Sequence, residues 1–133
     1  MKDLERVKII KIKNDSFSFD IADVSVQHFV AIEAEKQRLS NDAYKHIATT
    51  YFQDSLNAAS LIEMIATFRV LEPKIEESVA TKNFEKLSIL DIRELLSVYI
   101  KNLAPWWRLW MKEFNSPFED EEINGDEVDL DEK

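Results

Sequence analysis

The chain has 133 residues, of which 45% are hydrophobic, and its 26 acidic and 17 basic residues give a formal net charge of −9. This length and apolar content predict one domain with a continuous core, and the absence of cysteine excludes a disulfide framework, thiolate-held zinc and a cysteine nucleophile. The N-terminus lacks the apolar run of a signal peptide, and no stretch has the roughly 18 apolar residues of a membrane span. We therefore expect a soluble, cytoplasmic protein.

Glycine is almost absent from the chain, since the only one is Gly125, near the C-terminus. Loops that cradle phosphates or dinucleotides need glycine where the backbone approaches the ligand or takes a positive φ. Nucleotide-dependent chemistry is therefore not expected. The same scarcity favours long helices with short polar links over an all-β fold.

The first predicted element is a β-hairpin over residues 7–22. Apolar and polar residues alternate over 7–13 and 17–22, and the polar residues 14–16 between them are typical of a turn. Apolar residues fall on both faces of the first strand, so a bulge or a shifted register near Ile9 and Ile10 is an alternative to a regular strand. A two-stranded hairpin is marginally stable alone, so we expect its phenylalanines to pack on helices.

The rest of the body is predicted to be helical, because apolar residues recur at helical spacing between capping residues and prolines. The predicted helices cover 26–39 with Ser25 as N-cap, 43–71 with an optional break at Asp54-Ser55, a weaker 74–82, 88–103, and 106–114. Pro73 ends the long pattern, and Pro105 is placed in the first turn of the last helix. The sequence thus predicts a mainly α-helical single domain over 1–118 with an N-terminal hairpin.

The last fifteen residues, 119–133, form a strongly acidic tail. They hold nine carboxylates against one lysine, a net −8 that leaves residues 1–118 nearly neutral. The nine carboxylates belong to Glu119, Asp120, Glu121, Glu122, Asp126, Glu127, Asp129, Asp131 and Glu132. This composition predicts a disordered tail outside the domain. Its composition has three interpretations. The tail is a solubilising extension, a mimic of nucleic-acid phosphate or a guard that holds a basic or aggregation-prone partner, or a weak, nonspecific metal-binding segment.

Every tryptophan of the chain lies just upstream of this tail. Trp106, Trp110 and Phe114 have i, i+4 spacing, and Trp107 and Met111 form the adjoining row of the predicted last helix. One interpretation is that this helix caps the core, since large rings dominate cores as readily as interfaces. The other is a partner-binding site made of these five residues, because Trp106 and Trp107 point about 100° apart on a helix. An interfacial membrane helix is disfavoured, since anionic lipid repels an acidic tail.

No pattern in the chain predicts a catalytic or metal site, and we expect neither enzymatic activity nor a cofactor. His28 and His46 are eighteen residues apart, on different predicted helices, whereas catalysis or zinc binding requires grouped ligands. The acidic pairs at 33/35 and 76/77 are typical of the solvated faces of amphipathic helices. Scattered basic residues and a negative net charge disfavour direct binding of DNA or RNA.

The segment Val24-Ser25-Val26-Gln27-His28-Phe29 links the predicted hairpin to the first predicted helix. With the rest of residues 7–34, it resembles the opening of small bacteriophage tail assembly chaperones, in which a hairpin precedes a Leu/Val-Ser-Val-x-x-Phe/Leu segment that enters a helical body. The resemblance implies a non-enzymatic assembly factor that keeps a long, apolar, helical tape-measure protein soluble in the host cytoplasm before tail polymerisation.

Two other functional hypotheses are compatible with the sequence. One is a structural virion component or ring adaptor, which would form homo-oligomers. The other is an acidic inhibitor that mimics DNA and occupies a basic nucleic-acid-binding protein.

Overall fold

The computed structural model describes residues 4–49, 53–79 and 83–115. The elements are β1 (Val7–Ile12), β2 (Asp15–Asp20), α1 (Val26–Ser40), α2 (Tyr44–Thr49), α3 (Gln53–Leu71), α4 (Lys74–Val79), α5 (Ile89–Val98) and α6 at 104–115, with a π-helical turn (Tyr99–Leu103) between the last two. The predicted mainly α-helical class with an N-terminal hairpin is confirmed. The predicted acidic tail at 119–133 lies outside the described residues.

The hairpin is regular along its whole length, so the bulge that the sequence left open near Ile9 is absent. Ile12 pairs with Asp15, which puts the turn at Lys13 and Asn14 rather than at 14–16. Lys13 adopts a left-handed φ of 58° to make this turn. The regular register keeps four large side chains on the inner face, namely Ile10, Ile12, Phe17 and Phe19. Ile9 then faces outward and is 61% exposed.

Phe68 of α3 lies at the centre of the core and is fully buried. Its ring centroid is 6.2 Å from that of Phe19 in β2, 6.1 Å from that of Phe84 and 5.6 Å from that of Tyr99. These rings belong to the hairpin, to the segment before α5 and to the π turn. One core therefore joins the hairpin to the helices, as expected from its phenylalanines.

The expected break before the last helix does not occur, because α5, the π turn and α6 form one continuous helix. Pro105 lies inside this helix instead of opening a new one. A proline has no N–H to donate, and in a helix its ring clashes with the carbonyl four residues earlier. The N–H of Ala104 donates to the carbonyl of Tyr99, five residues back, and this wider turn makes room for the proline ring.

The other predicted helices are observed with small changes of boundary. The helix predicted over 26–39 corresponds to α1 with Ser25 as its N-cap, and the long pattern over 43–71 forms both α2 and α3. Residues 50–52, between α2 and α3, lie outside the described residues, and the optional break predicted at Asp54-Ser55 does not occur there, because both positions are inside α3. The weaker helix predicted over 74–82 is observed as α4, and its last three positions are also outside them.

Arg69 of α3 holds a network of carboxylates that the sequence did not predict. It forms two hydrogen bonds with Glu76, of 2.9 and 2.7 Å, and contacts Glu35 and Glu85 at 2.9 Å each. The side chains of Glu35 and Glu76 are only 19% and 13% exposed. The prediction that these acidic positions belong to solvated helix faces is therefore wrong for both glutamates. Arg69 ties α1, α4 and the segment after it to α3.

Candidate partner-binding cleft

The helix α6 divides the five residues of the predicted partner-binding site between core and surface. Trp106 and Trp107 are each 6% exposed and belong to the core, whereas Trp110 and Met111 are half-buried. Phe114, in the last described turn, is 52% exposed. The core-cap interpretation therefore describes the first two residues. The other three remain accessible to a partner.

The carbonyl oxygen of Glu5, just before β1, accepts hydrogen bonds from two tryptophans. The indole N–H of Trp106 donates to it at 2.6 Å and that of Trp110 at 2.8 Å. The i, i+4 spacing places both rings on one face of α6, where one acceptor can reach both. These bonds satisfy two partly buried donors and fix the position of α6 against the chain that enters the hairpin.

Glu63 of α3 is a second anchor for the same end of the molecule. One of its carboxylate oxygens accepts from the hydroxyl of Tyr99 at 2.9 Å, and the other accepts from Arg108 of α6 at 3.1 Å. Burial, followed by the nearby charge of Glu63, raises the pKa of Tyr99 well above its ordinary value. The phenol therefore stays protonated and remains a donor to Glu63. Both anchors hold α6 in a fixed position beside the start of α1.

A cleft of about 390 Å³ lies between the start of α1 and the end of α6. It is lined by Ile21, Val24, Ser25, Val26, Phe29, Trp110, Met111, Glu113 and Phe114. The ring centroids of Phe29 and Phe114 are 5.7 Å apart, which brings the two helices together at this site. Val26 and Val30 of α1 are 73% and 57% exposed. The cleft and its border therefore form a mostly apolar surface open to solvent.

The α1 wall of the cleft starts at a capped helix terminus. The hydroxyl of Ser25 accepts from the backbone N–H of His28, and the N–H of Ser25 donates to His28 Nδ1 at 2.9 Å. This reciprocal arrangement is a capping box with histidine in the place that glutamate or glutamine usually takes. It satisfies N–H groups at the start of α1 and fixes the direction in which Val26 and Phe29 project.

The contribution of α1 to the cleft was not predicted from the sequence. The helix predicted over 26–39 contains the apolar residues Phe29, Val30, Ile32 and Ala34, but only Ile32 is buried. The available signal was an excess of apolar residues in the first two turns over what one buried stripe requires. Val26 and Phe29 turn toward α6 instead of toward the core.

The described residues contain no group of three or more histidine, aspartate or glutamate side chains placed to hold a metal ion. His28 serves the capping box, and His46 lies in the last turn of a different helix, α2. None of the helices in the described ranges has the length and apolar character needed to cross a membrane.

Comparisons with protein-family models, with curated proteins and with solved structures found no match to this chain.

Proposed function

We propose that this protein is a non-enzymatic assembly factor that holds an apolar helical segment of another polypeptide in the cleft between α1 and α6. The observation that carries the proposal is the open apolar cleft itself. Its lining has one charged residue, Glu113, and large side chains such as Trp110 and Phe114 remain accessible. Exposed apolar surfaces of this kind mark sites of interaction with proteins or other ligands.

The shape of the cleft favours a helix as its occupant. Two helices form its walls, and an amphipathic helix binds such grooves through apolar anchors spaced at i, i+3, i+4 and i+7. The volume of about 390 Å³ is at the lower end of the roughly 300–1,000 Å³ found for ligand pockets. It therefore accommodates a few anchor side chains, with the backbone of the partner helix outside.

The resemblance to phage tail assembly chaperones supports a holding role for this cleft. Four residues of the segment that carries the resemblance line it, namely Val24, Ser25, Val26 and Phe29. A tape-measure protein is a long, apolar, helical chain, so each of its segments offers anchors of the kind the cleft accommodates. In this proposal the protein covers such a segment and keeps it soluble until assembly.

Binding of a labelled peptide tests the proposed function. The probe is a helical peptide of about 18 residues, or five turns, with leucine anchors at i, i+3, i+4 and i+7 and glutamine elsewhere. Fluorescence anisotropy measures its affinity for the wild type, for Phe114→Ser and for Val26→Ser. Each substitution removes an accessible apolar contact, so we expect binding to weaken about tenfold, the equivalent of about 1.4 kcal/mol.

The matched control is Leu90→Ser, which removes a 65% exposed leucine from α5, a helix that contributes no residue to the cleft. This variant should bind the peptide with wild-type affinity. Equal affinities for all four proteins, or the largest loss in the Leu90 variant, would contradict the proposed function.

A further inference from the structure

Glu113 is the only charged residue among the described residues that line the cleft. Asp23 and Lys112 have opposite charges and adjoin lining residues in the sequence, but neither lines the cleft. Within the described part of the chain, neither Glu113 nor Asp23 forms an ion pair. Of the nearby cations, Arg108 is paired with Glu63, and Lys112 is exposed but does not line the cleft.

The acidic tail is covalently attached at the same place. Phe114 lines the cleft, and the described part of α6 ends one residue later, at Asn115. Glu119 is four residues further on in the sequence. The nine carboxylates of residues 119–132 follow from there. The strongly acidic part of the sequence thus begins five residues after Phe114, a residue of the cleft.

We infer that the segment held in the cleft is an amphipathic helix whose apolar anchors are flanked by lysine or arginine. The inference rests on the proposed function and names the chemistry of the partner. The anchors enter the cleft, and the flanking cations are attracted by Glu113 and by the net negative charge of the chain. Single exposed ion pairs are weak, but a field of one sign concentrates an oppositely charged partner and accelerates association.

The same charges disfavour the other occupants of the cleft. The tail of this chain has apolar residues of its own, such as Phe118, but it would bring a net −8 against Glu113. A second copy of the chain carries −9 and the same Glu113 at its cleft. Like charges placed against each other at an interface are a source of discrimination against wrong partners. A separate polypeptide with cationic flanks has complementary charge.

Three labelled peptides test the inference on the full-length protein. All three have the same leucine anchors, and their other positions hold glutamine only, lysine with glutamine, or glutamate with glutamine. At about 25 mM salt the lysine peptide should bind at least about tenfold more tightly than the glutamine peptide, and the glutamate peptide most weakly. At about 0.5 M salt, where the Debye length is about 4–5 Å, the difference should fall below about threefold.

Two full-length variants separate the charge from the cleft. The first replaces the nine tail carboxylates with asparagine and glutamine, and it should lose most of the preference for lysine while it keeps its affinity for the glutamine peptide. The second is Phe114→Ser, which should weaken the binding of the lysine and glutamine peptides alike. The Leu90→Ser control should leave both affinities unchanged.

The outcomes distinguish failure of the inference from failure of the proposed function. Equal binding of the lysine and glutamine peptides, with both weakened by Phe114→Ser, overturns the inference alone. If Phe114→Ser leaves the affinity for the lysine peptide unchanged, the peptide binds the tail and not the cleft, and the inference is overturned. If the glutamine peptide binds more tightly after the tail carboxylates are neutralised, the tail itself occupies the cleft, and the inference is also overturned. If Phe114→Ser weakens no peptide, the proposed function fails as well.

Discussion

Phe29 of α1 and Phe114 of α6 face each other with their ring centroids 5.7 Å apart and their planes tilted by 48°. The two residues are far apart in the sequence, and each lies on a helix whose neighbouring apolar residues are partly accessible. Their contact joins the walls of a cleft that remains open beside them. An accessible aromatic pair of this kind is the type of anchor that we propose for the partner helix.

Substitutions along α6 should separate its core residues from its surface residues. Trp107→Ala removes a buried indole and should lower the free energy of unfolding by about 3–5 kcal/mol. Phe114→Ala removes a ring that is 52% exposed and should lower it by less than about 1.5 kcal/mol. Urea unfolding followed by circular dichroism measures both values. A larger loss for Phe114→Ala than for Trp107→Ala would show that the boundary between core and surface residues of α6 is assigned incorrectly.

The shared acceptor at Glu5 predicts a non-additive pair of substitutions. Trp110→Phe leaves the Glu5 carbonyl bonded to Trp106, so the loss should be about 0.5–1.5 kcal/mol. Trp106→Phe leaves it bonded to Trp110. The double variant removes both donors from one carbonyl and should lose about 0.5–1 kcal/mol more than the sum of the single losses. Additive losses in urea unfolding would show that the two bonds act independently.

The network around Arg69 predicts a specific loss of stability in acid. The hydrogen bond from Arg38 is the main cause that lowers the pKa of Glu35, against burial, and Arg69 adds to the effect. For Glu76, burial raises the pKa, but hydrogen bonds from Arg69 and from the N–H of Phe84 outweigh burial, so the pKa is lowered overall. Both carboxylates have a lower pKa in the folded state than in the unfolded state. Their stabilisation is therefore complete above about pH 4.5 and is lost as the pH falls through the folded values.

Urea unfolding between pH 6 and pH 3 measures this effect. Glu76→Gln should reduce the stability at pH 6 and make its decrease below about pH 4.5 shallower. Glu77→Gln is the matched control, because that side chain is exposed on the same helix and takes no part in the Arg69 network. Identical pH profiles for the wild type and Glu76→Gln would contradict a role for this carboxylate in acid stability.

Deletion of residues 119–133 should leave the domain intact. Residues 1–118 are nearly neutral and hold almost all the apolar periodicity of the chain, so the deleted part contributes little to burial. The helical circular dichroism signal should be almost unchanged. The melting temperature should change by no more than about 2 °C, the equivalent of well under 1 kcal/mol. A cooperative loss of structure would make the tail carboxylates partners of the fold.

Local sequence rules predicted the elements whose determinants are local. The alternation of the hairpin and the N-cap Ser25 depend on residues within one turn or strand, and both were predicted correctly. Pro105 was misplaced because the rule for prolines at helix starts takes no account of a π turn that continues the helix. The burial of Glu35 and Glu76 depends on Arg69, which lies 34 residues from the first. A local sequence pattern does not relate residues that are 34 positions apart.

The sequence singled out residues on one wall of the cleft but did not predict the cleft itself. The aromatic spacing of α6 singled out Trp110, Met111 and Phe114, and all three line it. The opposite wall depends on which face of α1 meets α6, and this is set by the packing of the whole domain. The sequence likewise does not tell which tryptophans are buried, because Trp106 and Trp110 share a row and differ only in their depth along the helix.

Photo-crosslinking tests the central claim most directly, because it maps where an apolar helix binds on the full-length protein. The glutamine peptide with a diazirine-labelled leucine at one anchor is irradiated with the protein, and mass spectrometry locates the adducts. We predict adducts on the cleft residues Val26, Phe29, Met111 and Phe114, and their loss when unlabelled peptide competes. Adducts concentrated on the exposed apolar residues outside the cleft, such as Ile9, Ile89 and Leu90, would contradict the assignment of the cleft as the binding site.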